Sequence, residues 1–345
     1  MAIGARIKQA RMLRGFSQRD LAARLPVSDT TVSKYEREES LPDSAMLMDI
    51  ADALDIDLSY FLRAPRVGSI EPAYRKLASM RKSDENALLE RIRDWLERYL
   101  EVESILEIGA LGFSWPDDVP YRVDSMDEIE QAAMDVRSAW DIGMDPIENL
   151  TERLEDHALR VGALPAPDSF DACAFEAQVD GGIPVIVVNE DRPGDRQRLN
   201  MAHELGHLVM DVQSGLDEEK ACYRFGAAFL VPAPIFISDV GRNRRQIRLR
   251  ELQLLKQKYG VSMQALVYRM RDLDILSAHQ ARQWFRWFRQ TGNHKEEPGE
   301  PVPREEPRRF ERMVQHALAE ALITERRAAE LLGRDLDSLS EPVLT

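Results

Sequence analysis

Residues 200 to 211, NMAHELGHLVMD, carry two histidines four positions apart, with a glutamate directly after the first. On a helix these positions lie one turn apart on one face, so His203 and His207 can reach one ion. Glu204 is placed beside them, where a carboxylate can poise water for attack. Two imidazoles and a carboxylate suit Zn²⁺, whose catalytic sites keep a fourth position for water. The stretch therefore predicts a zinc site that needs a third protein ligand.

The third ligand is predicted from the sequence DEEKACYRFGAAFLVP downstream, which offers Asp217, Glu218 and Glu219 at the start of an apolar-periodic helix. Glu219 stands three positions before Cys222 and six before Phe225, so it shares their inward face. Glu218 is displaced from that face by about 100°. We therefore expect Glu219 to complete the ligand set.

The elements that position these residues are a hairpin and two helices. FDACAFEAQV, DGG and IPVIVVNE predict a half-buried strand that turns at residues 180–182 into an almost wholly apolar strand. Upstream, residues 125–162 are predicted to be helical, with a break at GMDP. The histidine helix follows the apolar strand directly.

The N-terminal residues 5–62 predict five short helices. Ser17 caps the second helix, with Asp20 completing an acidic capping box, and Ser28 caps the third. This gives two helices joined by a tight turn. Residues 1–37 carry eight Lys or Arg against three acids, a net of +5, whereas residues 38–63 carry seven acids against one arginine, a net of −6. The basic charge thus lies at one end of this domain.

The totals describe a soluble chain of several domains. Its 345 residues exceed one ordinary single-core domain, and 44% are apolar and 31% charged. No apolar run approaches the roughly 20 residues that span a bilayer, and no signal peptide is evident, so we expect a cytoplasmic protein without a membrane partner. Cys173 and Cys222 are predicted to be reduced thiols. The net charge of −14 argues against indiscriminate nucleic-acid binding.

The remaining segments complete the predicted domain division. Residues 1–64 form the first domain, 65–124 a helical packing or dimerisation region, 125–290 the HExxH domain, 291–307 a proline-rich linker and 308–345 a helical tail. The tail is expected to dock onto its own chain, a dimer mate or a partner protein. Residues 242–258 carry seven basic residues against one acid, a net of +6, which suits phosphate or an acidic partner, although helix packing is the favoured role.

The pieces SQRDLAARL, VSDTTVSKYE and LMDIADALDIDLSYFL resemble the lambda-repressor-like, or XRE, helix-turn-helix family over about 58 residues. The resemblance implies that Gln18 contacts phosphate and that the third helix faces base edges. The glycine that usually follows the third helix is absent here. The implied base readers are Asp29, Thr30, Thr31 and Lys34, and the implied backbone contacts are Arg6, Arg11, Arg14 and Arg37.

The pieces PVIVVN, AHELGHL and EKACYRFGAAFLVP, with RSAWDIGMDPIENLTERLE upstream, resemble the ImmA/IrrE family of zinc-dependent peptidases over residues 126–275. The resemblance implies that His203, His207 and Glu219 bind the metal and that Glu204 is the general acid and base. Asn200 and Gly226 depart from the usual family residues without touching the ligand set. The expected fold class is mainly α with a small β-sheet, α+β.

These expectations combine into a cytoplasmic regulator that binds operator DNA as a homodimer and cleaves a repressor- or antitoxin-like protein in response to a stress signal. One alternative is a DNA-binding antitoxin that neutralises a cognate toxin by direct contact, with a non-catalytic zincin fold. A second is a zinc-sensing repressor. Tyr223 and His279 are considered as oxyanion stabilisers, without support from the sequence.

Overall fold

The computed structural model describes residues 3–63, 67–68, 70, 80–108, 115–179 and 182–336. The chain forms two compact units. Unit 1 comprises Met1–Gly109, Ala177–Gly182 and Phe310–Thr345, and unit 2 comprises Ala110–Glu176 and Ile183–Arg309. The described residues are mainly helical with small sheets, which confirms the predicted α+β class.

In chain order the described helices and strands are α1 (Ile3–Leu13), α2 (Gln18–Ala22), α3 (Asp29–Glu36), α4 (Ser44–Leu54), α5 (Ser59–Leu62), α6 (Lys82–Ile105), β1 (Tyr121–Val123), α7 (Met126–Ala139), α8 (Leu150–Asp156), β2 (Arg160–Leu164), β3 (Ala172–Ala177), β4 (Ile183–Asn189), α9 (Gly194–Val209), β5 (Met210–Val212), α10 (Glu218–Leu230), α11 (Ala233–Val240), α12 (Leu249–Tyr259), α13 (Met263–Asp272), α14 (Ala278–Gln290), α15 (Arg309–Ala319) and α16 (Glu325–Leu332).

Helices α1 to α5 match the five helices predicted for the N-terminal domain. The Ser17 side chain accepts from the Asp20 backbone N–H, and Asp20 accepts in return from the Ser17 N–H, so the predicted capping box is present. Ser28 accepts from the Thr31 N–H and caps α3. The core is formed by apolar side chains from each helix, among them Ile7, Leu21, Val32, Ile50 and Phe61.

Unit 1 also contains α6 and the C-terminal helices. The α6 core positions include Trp95 and Tyr99, and the Tyr99 ring stacks on Phe310 with centroids 5.4 Å apart. Arg98 donates to the Leu331 carbonyl at 2.5 Å, and Arg63 pairs with Glu330 at 3.1 Å. Thr324 and Gly333 cap α16 at its two ends. The tail therefore docks onto its own chain.

Unit 2 contains a three-stranded sheet in the order β2-β4-β3 and a parallel pair of β1 and β5. The predicted strands β3 and β4 are neighbours, and the Asn189 N–H donates to the Asp171 carbonyl at 2.9 Å. Asp180 and Gly181 of the predicted turn lie outside the described residues. Within β3 only Glu176 is exposed, so this strand is buried on both faces rather than half-buried.

The helix predicted through residue 162 was wrong at its end. Helix α8 stops at Asp156, Ala158 takes a left-handed backbone conformation with φ 60°, and Arg160 begins β2. Strand β2 runs parallel to β4 from the pair Arg160↔Val185 onwards. This pairing joins residues about 25 apart in sequence, so the local pattern of apolar residues does not predict it.

Helices α10 and α11 supply much of the apolar core of unit 2, including Phe225, Phe229 and Phe236. Among the described helices, no single one is long and apolar enough to cross a membrane. Among these helices, the consecutive pair α10 and α11 together has the length and apolar composition of a membrane span, but the chain bends by 64° between them. Burial of these aromatic side chains in the core accounts for their apolar composition.

The proline-rich segment predicted to be a linker is instead fixed to unit 2 by two carboxylates. Glu297 accepts from the Met263 and Gln264 N–H groups at 2.8 and 3.0 Å, at the start of α13. Glu305 accepts from the first two N–H groups of α8 at 3.1 and 2.7 Å and pairs with Arg198 of α9. Each carboxylate satisfies helix N–H groups that have no partner within the helix. The segment was predicted to be a linker because it is polar and rich in proline. Nothing in the sequence distinguishes Glu297 and Glu305, which bind distant helices, from glutamates that face solvent.

Replacing Glu305 by glutamine is expected to lower the free energy of unfolding by about 2–4 kcal/mol. Its side chain is 9% exposed and that of Arg198 4%, so the substitution leaves a buried guanidinium without its anion. Urea unfolding of the full chain measures the effect. Glu306→Gln, with a side chain 79% exposed, is the matched control and should change stability by under about 0.5 kcal/mol. Equal midpoints for the two variants would contradict the anchoring role.

Candidate metal centre and nucleic-acid interface

Two glycines allow α9 and α10 to pack closely. A Cβ atom at Gly226 would lie 3.0 Å from the His203 backbone nitrogen, and one at Gly206 would lie 3.1 Å from the Phe225 ring and 3.4 Å from the Cys222 Cα. The distances of 3.0 and 3.1 Å are shorter than ordinary van der Waals contact, so a larger residue at either position would require the neighbouring helix or the Phe225 ring to move. Gly226, noted as a departure from the usual family residue, is thus explained by the approach of α10 to His203.

This approach brings together the three predicted metal ligands. The Nε2 atoms of His203 and His207 are 3.2 Å apart. His203 Nε2 lies 3.4 Å from Glu219 Oε2, and His207 Nε2 lies 3.4 Å from Glu219 Oε1. A tetrahedral zinc ion with bonds of about 2.0–2.2 Å holds its ligand atoms roughly 3.3–3.6 Å apart. The donor types and their separations therefore fit Zn²⁺.

The burial of these side chains differs in a way that leaves one side of the centre accessible. His203 and His207 are 3% and 13% exposed, whereas the Glu219 side chain is 54% exposed. Glu204, beside His203, is buried, with 3% of its surface exposed. The histidines are therefore held by packing, while the Glu219 side is open to water and to a ligand.

Glu218 has a role that sequence reasoning did not assign. Its Oε1 lies 3.2 Å from His207 Nδ1, so the imidazole can donate there and keep Nε2 unprotonated for a metal. The sequence signal was present, since Glu218 was one of three acidic candidates. It was set aside as a ligand because it lies off the inward face, and the same displacement lets it reach the outer nitrogen of His207.

Tyr223, one turn after Glu219, lies against His203 with ring centroids 4.0 Å apart. Partial burial, followed by the charges of Asp171, Glu219 and Glu204, raises the pKa of Tyr223. Its phenol therefore stays protonated at neutral pH. His279, the other oxyanion candidate, is exposed on α14 and contacts Gln283.

Asn200 lies one turn before His203 on the same face of α9 and is 7% exposed. Its buried Nδ2 has no hydrogen-bond partner among the described residues. A buried amide nitrogen without a partner costs free energy. The sequence marked Asn200 only as an unusual residue for its position.

A buried ionic cluster holds α10, and with it Glu219, in place. Glu130 of α7 binds Arg269 of α13 through both oxygens, at 2.5 and 2.8 Å, and lies 2.5 Å from Arg224 of α10. Arg269 is 1% exposed and also donates to the Val231 carbonyl. One carboxylate thus links three helices.

Replacing Glu130 by glutamine is expected to lower the free energy of unfolding by about 2–4 kcal/mol, because it removes the anion shared by two buried or half-buried arginines. Chemical denaturation of the full chain measures this loss. Asp127→Asn, on an exposed position of the same helix, removes the same charge and should leave the midpoint unchanged. A Glu130→Gln protein as stable as the wild type would show that the cluster contributes nothing to α10 placement.

The predicted DNA-reading helix presents its polar side chains to solvent. Asp29, Thr30 and Lys34 are exposed, and Thr31 is half-buried. Arg37 is exposed, pairs with Glu39 at 3.2 Å and donates to the Ser33 carbonyl at 3.4 Å. These residues share the outer side of α3, as expected for a helix that enters the major groove.

The expected backbone contacts Arg6 and Arg11 need correction. Arg6 is 3% exposed, pairs with Glu97 of α6 and donates to the Arg63 carbonyl, and Arg11 is 9% exposed and binds Glu36 at 2.5 and 3.0 Å. Both hold the domain together and are not available to phosphate.

Two further expected contacts have intramolecular partners. Arg14 donates to the Leu54 carbonyl at 2.6 Å and binds Asp55 at the end of α4, although it stays partly exposed. Gln18 is half-buried and donates to Glu36 at 2.7 Å. The proposed DNA surface therefore rests on α3 and Arg37, with Gln18 at its margin.

Comparison with known proteins agrees with both parts of this description. Residues 7–61 match the helix-turn-helix family model, and residues 156–271 match the model of the IrrE N-terminal-like domain, peptidase family M78. The HTH-type transcriptional regulator ImmR of Bacillus subtilis (strain 168) is 31% identical over 62 residues, which are 18% of this chain and 49% of the regulator. The chain thus spans about half the length of that curated relative. No solved structure matches the chain.

These matches confirm both resemblances drawn from the sequence. The chain joins a segment that matches helix-turn-helix domains to a segment that matches the IrrE N-terminal-like domain, and the matched ranges contain α3 and the His203, His207 and Glu219 cluster respectively.

Proposed function

We propose that this protein is a DNA-binding transcription regulator whose unit 2 is a zinc-dependent endopeptidase. It cleaves a repressor- or antitoxin-like protein in response to a signal. The observation that carries the proposal is the convergence of two imidazole nitrogens and a carboxylate at 3.2–3.4 Å from one another, with a buried glutamate next to the first histidine.

In this proposal His203, His207 and Glu219 hold the metal, and Glu218 orients His207 through its Nδ1. When bound, Zn²⁺ lowers the pKa of water towards ~7 and polarises the scissile carbonyl. Glu204 takes the proton of the attacking water as the C–O bond forms. It then passes that proton to the leaving amine as the C–N bond breaks.

The substrate is proposed to bind as an extended segment along β3, an edge strand of the described sheet. Asp171, directly before β3, pairs with Arg196 of α9 at 2.7 Å and is close enough to Tyr223 to affect its pKa. The start of the strand therefore lies near the metal ligands. The protonated Tyr223 can donate to the carbonyl oxygen that becomes negatively charged.

The test compares protein fragments in cells that briefly express the wild type or Glu204→Gln, by mass spectrometry of newly formed N-termini. A fragment that appears only with the wild type identifies both the activity and its substrate. Identical fragment profiles under rest and stress would instead favour the antitoxin alternative, in which unit 2 binds a toxin without cleaving it.

For the DNA-binding part, we propose that α3 reads an operator in the cytoplasm and that a homodimer occupies a palindromic site. Lys34→Gln is expected to weaken operator binding by about 5–100-fold, because one base or phosphate contact contributes roughly 1–3 kcal/mol. Fluorescence anisotropy on a duplex selected from genomic fragments measures the change. Lys82→Gln, which removes an exposed positive charge outside the helix-turn-helix segment, should bind as the wild type does.

If both variants bind equally well, α3 is not the reading helix. Because Arg6 and Arg11 are buried in ion pairs, we expect their substitution to reduce stability of the domain rather than to alter the salt dependence of DNA binding.

A further inference from the structure

Unit 2 carries a second basic surface that has no part in the metal centre or in the helix-turn-helix segment. Residues 242–250 contain five arginines and residues 278–290 contain three, and neither range contains an aspartate or glutamate. The whole chain has a net charge of −14, so its composition does not account for this local excess. We call these two ranges the arginine surface.

The arginines of this surface differ from those in the core. Arg244 pairs with Glu251 at 2.8 Å, whereas the other seven are exposed and form no ion pair with any residue the structure describes. Elsewhere in unit 2, Arg137, Arg224 and Arg269 have carbonyl or carboxylate partners. Unpaired like charges repel one another, so their collection on one surface indicates an anionic ligand. The seven are Arg242, Arg245, Arg248, Arg250, Arg282, Arg286 and Arg289.

A groove of about 520 Å³ lies between the two ranges and is lined by Trp284 and Trp287 of α14 and by Arg245 and Ile247 opposite. Gln280 fixes the two walls together, since it donates to the Arg244 and Arg245 carbonyls at 2.9 and 2.7 Å. The volume falls within the roughly 300–1,000 Å³ of pockets that accept small ligands, so it admits a planar base.

Three exposed arginines lie on the outer side of α14, next to the groove. Arg282, Arg286 and Arg289 are spaced by four and three residues, which places them in one stripe along the helix. The charges therefore lie mainly outside the groove, and the aromatic rings lie within it. A guanidinium binds phosphate through two parallel donors, and an indole offers a face on which any base can stack.

We propose that the arginine surface and its tryptophan groove bind single-stranded nucleic acid. Phosphates would lie on the guanidiniums and one or more unpaired bases on the indole rings. A single strand carries its charge on the phosphates and its uncharged rings on the bases. The protein likewise holds its guanidinium groups mainly outside the groove and its indole rings within it. In duplex DNA the bases are stacked inside the helix and cannot enter the groove, and the carboxylates of an acidic peptide do not stack on indole rings.

The experiment measures anisotropy of a fluorescein-labelled 15-nucleotide strand of mixed sequence, as DNA and as RNA, with the full-length protein over a salt series. Binding of either strand supports the proposal, and the tighter of the two identifies the source. Replacement of Arg282, Arg286 and Arg289 by glutamine together is expected to weaken binding by at least about 10-fold. It should also reduce the salt slope by roughly 2, at about 0.7 per lost phosphate contact.

The control replaces Arg122, Lys295 and Arg308 by glutamine. These residues are exposed on unit 2 outside the arginine surface, so the control changes the net charge by the same amount as the triple variant. It should bind as the wild type does. Arg245→Gln, a single change inside the groove, gives a second variant that does not depend on α14. Quenching of tryptophan fluorescence on binding, reduced in Trp287→Phe, reports stacking.

Three results would overturn the proposal. The wild type fails to bind either strand at low salt, or the triple variant binds as tightly as its control, which would place the contact on the helix-turn-helix segment. Alternatively, polyglutamate of equal charge displaces the strand as readily as unlabelled strand does, which would assign the surface to an acidic protein partner.

Discussion

Replacing Glu204 by glutamine is expected to slow cleavage of the substrate by about 10²–10⁴-fold while the zinc content stays unchanged. Glutamine has nearly the same shape as glutamate, so the packing around this buried position is retained. It cannot accept a proton from water at neutral pH, and none of the three ligand side chains is altered. Loss of turnover without loss of metal is therefore the signature of a general base.

The measurement is single-turnover cleavage of the substrate identified by mass spectrometry, with zinc determined on the same samples. Asp217→Asn is the matched control, because it removes the same charge close to the centre and keeps an N-cap oxygen that accepts from the Lys220 N–H. The control should cleave at the wild-type rate. Cleavage by Glu204→Gln at the rate of the control would eliminate the proposed role of Glu204.

Replacing His203 by alanine is expected to weaken zinc binding by at least about 100-fold. Loss of a group that merely orients a ligand already costs about 10–100-fold in affinity, and loss of the ligand itself costs more. His203 is also the least exposed of the three ligands and lies directly against Gly226 of α10, so no other side chain can take its place without moving a helix. Cleavage is expected to fall with the metal.

Competition between the protein and a chromophoric chelator measures this affinity. His279→Ala, an exposed histidine of the same unit, is the control and should retain wild-type affinity. Undiminished zinc binding by His203→Ala would show that the ion sits elsewhere. Glu218→Gln should give an intermediate loss, because it replaces the charged acceptor of His207 Nδ1 by a weaker, neutral one and keeps all three proposed ligands.

The two variants together separate the proposed functions. If the protein is a peptidase, both Glu204→Gln and His203→Ala lose cleavage. If it is an antitoxin that acts by contact, Glu204→Gln still neutralises the toxin, and His203→Ala does so when the fold is stable without zinc. A zinc-sensing repressor changes its DNA affinity in His203→Ala and keeps it in Glu204→Gln. Operator binding measured on both variants therefore decides between a sensor and an enzyme.

The sequence by itself determined the features that depend on local spacing. The i, i+4 placement of His203 and His207 follows from helix geometry, and Glu219 lies beside them on a face that its spacing from Cys222 and Phe225 sets, because α10 is a regular helix over its first turns. The caps Ser17, Ser28 and Thr324 were predictable because a cap bonds to a backbone group three residues away.

The tertiary structure alone decided which partner each charged side chain finds. Arg6 and Glu97 are 91 residues apart, Glu130 and Arg269 are 139 apart, and Glu305 and Leu150 are 155 apart. A surface arginine and a buried one look alike in the sequence, because burial depends on which distant carboxylate the fold delivers. This is why two expected DNA contacts are core residues and why an expected linker is an anchored segment.

The same division applies to the strands and to the candidate centre. Strand β2 was missed because its stability comes from pairing with β4, whereas β4 was predicted because an almost wholly apolar run of residues marks it locally. Spacing along α9 and α10 predicted the proposed ligands, but the 3.2–3.4 Å separations depend on Gly206 and Gly226, which let the two helices pack closely. Local periodicity thus set each helix, and close packing between helices made the site.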